Sequence, residues 1–348
     1  MRDREREGGS CSARATGPRL VLAVLFASSM GCETEAERRK ERLDRLAQTI
    51  EARLSAADLP TVPHGERWSA AEVRVIVGET IAVDRAANAL ELYAMDPDGY
   101  AESARPIPEV GPEVLELPGG GIPARALSSG GTLPALAAAL RPPAGRGGDD
   151  PESEGVPPLR GPLDLDVGSK VPYRTFAAVL RTVVQERFTP RLVARGPRSM
   201  VQLPVLLPAI PAGCRSADCI EALVEPRAAS APDASTAETP DDAPTRLDLT
   251  IAIGEDGVNV FGSGGVLARG CERIQRPGDE SNSVPRRSGT IDRGALEACL
   301  NEVADVFLDD DVVLIQPEPA IPFNEVIIVA SIAYGDDRFP ELLFAAPE

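Results

Sequence analysis

The chain has 348 residues, with 54 acidic and 36 basic side chains and a formal net charge of −18 at neutral pH. Such an excess of negative charge repels phosphate backbones, so nucleic acid is not an expected partner, and anionic lipid offers it no attraction of its own. The length allows two domains plus connections, and a single histidine leaves little material for imidazole-based catalysis.

In chain order the first feature is a leader over residues 1–32. Arg14 and Arg19 precede the apolar run Leu20 to Phe26, and small residues lead to Gly31-Cys32. A basic flank, a short apolar core and small residues make a signal peptide. Gly31-Cys32 is similar to a lipobox, with Ser29 departing from the usual Leu, so Cys32 is the expected lipidation site. The competing readings are a plain secreted protein and a signal anchor. The apolar stretch from Leu20 to Gly31 is twelve residues long, and a membrane span needs about 20. A lipid at Cys32 anchors a protein without spanning. Glu33 is not the Asp that signals inner-membrane retention, so the expected address is the periplasm, on the inner leaflet of the outer membrane.

Residues 33–58 read as a charged helix in which Leu43, Ala47, Ile50 and Leu54 form one apolar stripe. A stripe this short is marginal alone, so docking on its own domain is expected, with self-association as the alternative. The first domain is placed at 59–225. Its approach, Leu59-Pro60-Thr61-Val62-Pro63-His64-Gly65, is Pro-rich, which makes His64 an expected surface-loop residue. Val73, Val75 and Val77 alternate with other residues, then Gly78-Glu79-Thr80 turns the chain into Ile81-Ala82-Val83, which reads as a hairpin. An insertion covers about 97–158. Between its two stretches, 97–131 and 141–158, Leu133, Leu136 and Leu140 mark a weak helix that is this domain's counterpart of the one in the second domain, and 141–158 has a disordered composition.

A similar order follows the disordered linker placed at 226–245. The second domain, 246–348, opens with Leu247, Leu249 and Ile251, a Gly254–Gly257 turn and Val258-Asn259-Val260-Phe261. Leu296, Leu300, Val303 and Phe307 then lie on one helical face. Both domains next carry the same phrase. Leu163-Asp164-Leu165-Asp166, Val171-Pro172-Tyr173, Phe176 and Val179 match Val313-Leu314-Ile315-Gln316, Ile321-Pro322-Phe323, Val326 and Val329 at a constant offset of 150 residues. Each reads as strand, loop and helix, with Pro at the first helical position. A last strand closes each unit, at Arg191–Ala194 and Leu342–Ala345. The expected fold is α+β: two tandem ββαβαβ two-layer sandwich domains.

The ββαβαβ order with a V-P-Y/F tripeptide opening the last helix resembles the periplasmic domain of the ExbD/TolR biopolymer-transport family. The resemblance covers roughly 72–195 and 246–346. It implies a role beside a proton-driven inner-membrane motor, and contact with peptidoglycan or with an envelope protein. The family carries a transmembrane helix with a proton-coupling Asp, which this chain does not offer.

Six cysteines are present. Cys11 leaves with the leader and Cys32 is the lipidation candidate, so Cys214, Cys219, Cys271 and Cys299 remain for disulfides, with three possible connectivities. The favoured pairing is Cys214–Cys219 with Cys271–Cys299. A metal site is not expected, because the spacings are not C-x₂-C and no histidine is near. Gly262-Ser263-Gly264-Gly265 lacks the phosphate-loop pattern, and the adjacent acids Asp309-Asp310-Asp311 are not spaced to converge on a cation. No cofactor is expected.

The expected function is that of a non-catalytic envelope adaptor. Lys170, Tyr173, Arg174 and Phe323, at the starts of the repeated helices, are the candidate partner-binding residues, with the two aromatics favoured as core anchors. Lys170 and Arg174 suit an acidic ligand such as peptidoglycan stem carboxylates. The alternative is a hydrolase that attacks cell-wall glycan with two carboxylates; a deep pocket with two facing acids is its discriminating feature.

Overall fold

The computed structural model describes residues 34–103, 105–108, 111–141, 160–205, 249–262, 265–276, 281–306, 312–335 and 338–345. The leader with Cys32, most of the expected disordered stretches, Cys214, Cys219, Ser263-Gly264 and Asp309–Asp311 lie outside the described residues.

Helix α1 (Glu35–Ala57) begins at a reciprocal cap: the Glu37 N–H donates to Thr34 Oγ1 at 3.2 Å and the Thr34 N–H to Glu37 Oε2 at 2.7 Å. Its stripe of Leu43, Leu46 and Ile50 packs against Ala86, Tyr93 and Tyr100, so the helix docks on its own domain. The first half continues with β1 (Glu66–Arg67), β2 (Val73–Val77), β3 (Thr80–Asp84), α2 (Ala87–Met95), α3 (Pro97–Glu102), β4 (Glu113–Glu116), α4 (Pro134–Leu140), β5 (Pro162–Val167), α5 (Tyr173–Gln185), β6 (Thr189–Arg195) and β7 (Met200–Pro204). The second half holds β8 (Leu249–Ile253), β9 (Gly257–Gly262), β10 (Gly265–Val266), β11 (Val284–Arg287), β12 (Thr290–Ile291), α6 (Arg293–Val306), β13 (Val312–Pro317), α7 (Phe323–Tyr334) and β14 (Glu341–Phe344).

The chain is therefore α+β, with two sheets. The first has the order β1-β7-β6-β5-β2-β3-β4, the second β12-β11-β9-β8-β13-β14, with β10 on β9. Their centres correspond: β6-β5-β2-β3 and β14-β13-β8-β9. In both, the middle strand is parallel to two neighbours, β5 to β2 and β6, β13 to β8 and β14, and the hairpin pair is antiparallel. Alternation fixes the register. Val75 faces Leu165 and Ile251 faces Ile315, so both sheets turn their β-branched and leucine side chains toward the helices. The first half is more than a two-layer sandwich, because Ala57, Leu59 and Met200 pack on Ile76 from the opposite face of the sheet. Strands β1, β4, β7, β10, β11 and β12 extend the sheets beyond the expected pattern; β1, β10 and β12 have two residues each, β4 and β11 lack clean alternation, and β7 alternates over five residues. Cys271 and Cys299 are joined, with Cα atoms 5.0 Å apart, tying the loop after β10 to α6.

The two halves share one hydrophobic core. Their contact is built on the repeated phrase. Pro172 and Pro322 sit one position outside the helices, as caps, with φ of −64° and −63° and extended ψ of 146° and 140°. Sequence reasoning places each Pro inside its helix; the extended ψ arises because residues 171–174 run antiparallel to 319–324 and form a bridge there. The Tyr173 N–H donates to Ile321 O at 2.9 Å, and the Phe323 N–H to Val171 O at 2.8 Å. The Arg174 N–H donates to Pro319 O at 3.1 Å, and the Asn324 N–H to Ser169 O at 3.0 Å. Each bond has its counterpart at the 150-residue offset. A helix start leaves its first N–H groups without intrahelical partners; here each half supplies the acceptors for the other.

Behind this seam the rings of Phe176 and Phe323 are 4.8 Å apart, with Tyr173 at 5.8 Å and Phe344 at 5.4 Å from Phe176. The Tyr173 hydroxyl donates to Ala345 O in the second half, and burial pushes the phenol well above its ordinary range. Phe176→Ala is expected to cost about 3–5 kcal/mol. Far-UV circular dichroism and the emission of Trp68, in the first half, should still follow one denaturation curve, because both halves lose the same core.

Candidate functional site

The rim of the seam is asymmetric. Tyr173 and Phe323 are 0% and 1% exposed, so neither offers a surface to another molecule, and both serve as core anchors. Lys170 and Arg174 flank them and are exposed. Neither makes an ion pair with any described residue. In the second half the same positions are Ala320 and Asn324. The first half therefore carries an exposed cation on either side of the Pro172–Pro322 bridge, where the second half has none, in a strongly acidic chain.

A second feature lies on the sheet face opposite α5, and it is legible only when registers are known. Leu163, Leu165 and Val167 point to the core, so Asp164 and Asp166 point the other way, and so does Arg74 in β2. Arg74 pairs across the sheet with Asp164 on one side and Asp84 on the other, and Asp164 pairs with Arg191 of β6. Asp84, Asp164 and Asp166 are fully buried and Arg74 nearly so. The sequence signal is the alternation Leu-Asp-Leu-Asp, which normally marks acids on a solvated face; here Trp68 and Ala71, before β2, cover Asp164, and Ala57, Leu59 and Met200 pack over Ile76 beside Asp166.

The partners are unequal. Asp164 is well satisfied: it accepts from Arg191 Nη2 at 2.6 Å, from Trp68 Nε1 at 3.0 Å and from the Ala71 N–H at 2.8 Å. Asp84 accepts from the Ala86 N–H at 2.7 Å through one oxygen, and its other oxygen has no partner. Arg74 Nε approaches Asp166 Oδ2 to 2.9 Å, but its N–H is not aligned, and neither oxygen of Asp166 accepts a hydrogen bond. Arg74 also lies 5.1 Å from the Trp68 ring centre, a cation–π contact. Three carboxylates thus meet two guanidiniums. Burial raises Asp166 to about 7, against the pull of Arg74, and the neighbouring Asp164 and Asp84 raise it further. Burial also raises Asp84, opposed by the Ala86 N–H and by Arg74 and Arg53.

The third feature is a cleft of about 370 Å³ between the halves, lined by His64, Glu66, Pro197 and Tyr334 among others. His64 is half-buried rather than a free surface-loop residue. Its N–H donates to Ser331 Oγ at 2.9 Å, and the Ser331 hydroxyl donates to His64 O at 2.7 Å. The serine is thereby committed to the histidine's backbone rather than its ring. The Tyr334 hydroxyl donates to Glu66 Oε1 at 2.9 Å. Glu66 is the one carboxylate lining this cleft. No group of described residues has the make-up of a metal site, and no described helix is long and apolar enough to cross a membrane.

A carboxyl raised on folding binds its proton in the native state while the unfolded chain has already lost it. Stability from Asp166 is complete below its unfolded value of 3.8 and is lost as pH rises toward 7. The full span is worth up to about 4 kcal/mol. Asp166→Asn leaves two carboxylates facing two guanidiniums. Urea denaturation should find that variant more stable than the parent by about 2 kcal/mol or more at about pH 8, with the difference vanishing toward about pH 4.

Comparison with family models, with curated proteins and with solved structures returns no match.

Proposed function

We propose that this chain is a non-catalytic adaptor of the cell envelope, anchored by lipid at Cys32 on the periplasmic side of the outer membrane. In this reading it resembles two tandem ExbD/TolR periplasmic domains without their membrane helix, and it uses the seam between them as its docking point. The observation that carries the reading is the pair Lys170 and Arg174, exposed and without an ion pair to any described residue, at the seam's rim in a chain of net charge −18. The shared order of the four central strands in both sheets supports the family resemblance.

The rim suits a carboxylate-bearing ligand. Two cations on a rigid backbone select for acids spaced to match them, while the surrounding negative charge repels other anions. Peptidoglycan stem carboxylates are one such ligand, and an acidic face of a motor-associated envelope protein is the other. With no membrane acid of its own among the described helices, the chain does not itself conduct protons; any energised role runs through a separate motor subunit.

Lys170→Ala with Arg174→Ala should reduce retention on purified sacculi by roughly tenfold, about 1.4 kcal/mol, at unchanged melting temperature. Unchanged retention, both to sacculi and to a detergent-extracted envelope fraction, removes the rim from the reading. Cys32→Ser should leave the precursor unprocessed or release the protein from the membrane fraction; unaltered size and fractionation count against the lipid anchor.

A further inference from the structure

The segment 62–71 joins the buried charge cluster to the contact between the halves. At its start the Val62 N–H donates to Arg195 O at 2.9 Å. His64 then exchanges two bonds with Ser331, and Glu66 accepts from Tyr334, both in the second half. β1 pairs with β7, and Trp68 follows. On the cluster side the strap is held mainly by one ion pair: Trp68 Nε1 and the Ala71 N–H both donate to Asp164, and Arg191 donates to Ser69 O at 2.8 Å. Glu91 of α2 adds a bond from the Ala70 N–H at 3.3 Å.

Beneath Trp68 the count of charges is odd. The groups facing Asp166 are Arg74 from β2, Asp84 from β3 and Asp164 from its own strand, with Arg191 of β6 paired to Asp164 and Arg53 of α1 acting on Asp84. One proton among the three acids balances the two inner guanidiniums. Without it a buried negative charge stands beside two others, with no hydrogen bond to Asp166 to hold it. The cheapest relief is water, and Trp68, lying over Arg74 and bonded to Asp164, is part of the cover that keeps water out.

We propose that the strap 62–71 is a proton-controlled latch. With one proton held among Asp84, Asp164 and Asp166, Trp68 stays seated and the strap clamps the second half through His64 and Glu66. When that proton passes to solvent, Trp68 unseats and the clamp on Ser331 and Tyr334 loosens. The device is independent of any ligand at the seam's rim.

Trp68 is the only tryptophan of the chain, so its emission reads the latch directly in the full protein. From about pH 5 to about pH 9 at constant ionic strength, its emission should move to the red and become more open to acrylamide, with a midpoint near neutrality. The protection factor of the His64 amide against hydrogen exchange should fall with the same midpoint. Asp166→Asn should keep the blue, protected emission throughout. Imidazoles as a class change charge in the same window, so His64→Gln must retain the transition.

A flat profile in the parent protein overturns the proposal. So does a transition that persists in Asp166→Asn or disappears in His64→Gln. An unseated Trp68 with an unchanged His64 amide overturns the link to the second half. If circular dichroism finds Asp166→Asn unfolded, Asp84→Asn decides: it too leaves two carboxylates facing two guanidiniums, so its emission must stay blue and protected across the range, and a transition like the parent's refutes the latch.

Discussion

Everything about the arrangement of this molecule depends on the exchange of backbone hydrogen bonds between two helix starts. An isolated α5 or α7 begins with N–H groups that only water can satisfy. Pairing Val171–Arg174 against Pro319–Asn324 meets that need in both helices at once, and does so with the backbone alone. Proline suits the position for two reasons. It has no N–H to leave orphaned, and its fixed φ holds the chain extended where it must act as a strand and then turn into a helix. The aromatic that follows lands in the core between the halves, where Phe176, Phe323 and Phe344 meet. The rim cations, the cleft at His64 and the strap all take their positions from this contact.

The halves share a frame but not a chemistry. Where the first sheet sets Arg74 beside Asp164, the second sets Thr250 beside Leu314; where the first has Asp166, the second has Gln316. The first face is sealed by Trp68, Ala57 and Leu59, and its charges are buried. The equivalent residues of the second are half-exposed and carry no charge. Buried, incompletely paired ions are costly to fold. Their confinement to one half means that the other can supply stability through a plain apolar core and the Cys271–Cys299 bond.

Much of this was legible in the sequence. Alternation gave the hairpins at 73–83 and 249–261, the 3.6 period gave Leu296, Leu300 and Val303 a common face, and the 150-residue offset exposed the repeat. The single described disulfide has the favoured pairing. What escaped were relations between distant residues. The Val-Pro-Tyr and Ile-Pro-Phe phrases look like helix starts because local spacing cannot reveal that each is also a strand paired to the other. Nothing in the local pattern marks Asp164 and Asp166 as buried, because the residues that cover them, Trp68 and Ala71 on one and the Ala57–Leu59 turn beside the other, lie far away in the chain. Short strands such as β1 and β12 have two residues each, too few to show any period.

The seam also sets an order of events during synthesis. Residues 171–176 leave the ribosome well before 319–344, so the first half must wait for its counterpart. In that interval α5 has an uncapped start, and Tyr173 and Phe176 have no ring or carbonyl from the second half to meet. Contacts between residues this far apart close late, and an exposed aromatic edge is what captures other chains during folding. The last acceptor, Ala345 O for the Tyr173 hydroxyl, is made 172 residues after its donor. The nascent chain is thus most vulnerable to mispairing with a neighbour's phrase, which carries the same proline and aromatic, until its own β14 arrives.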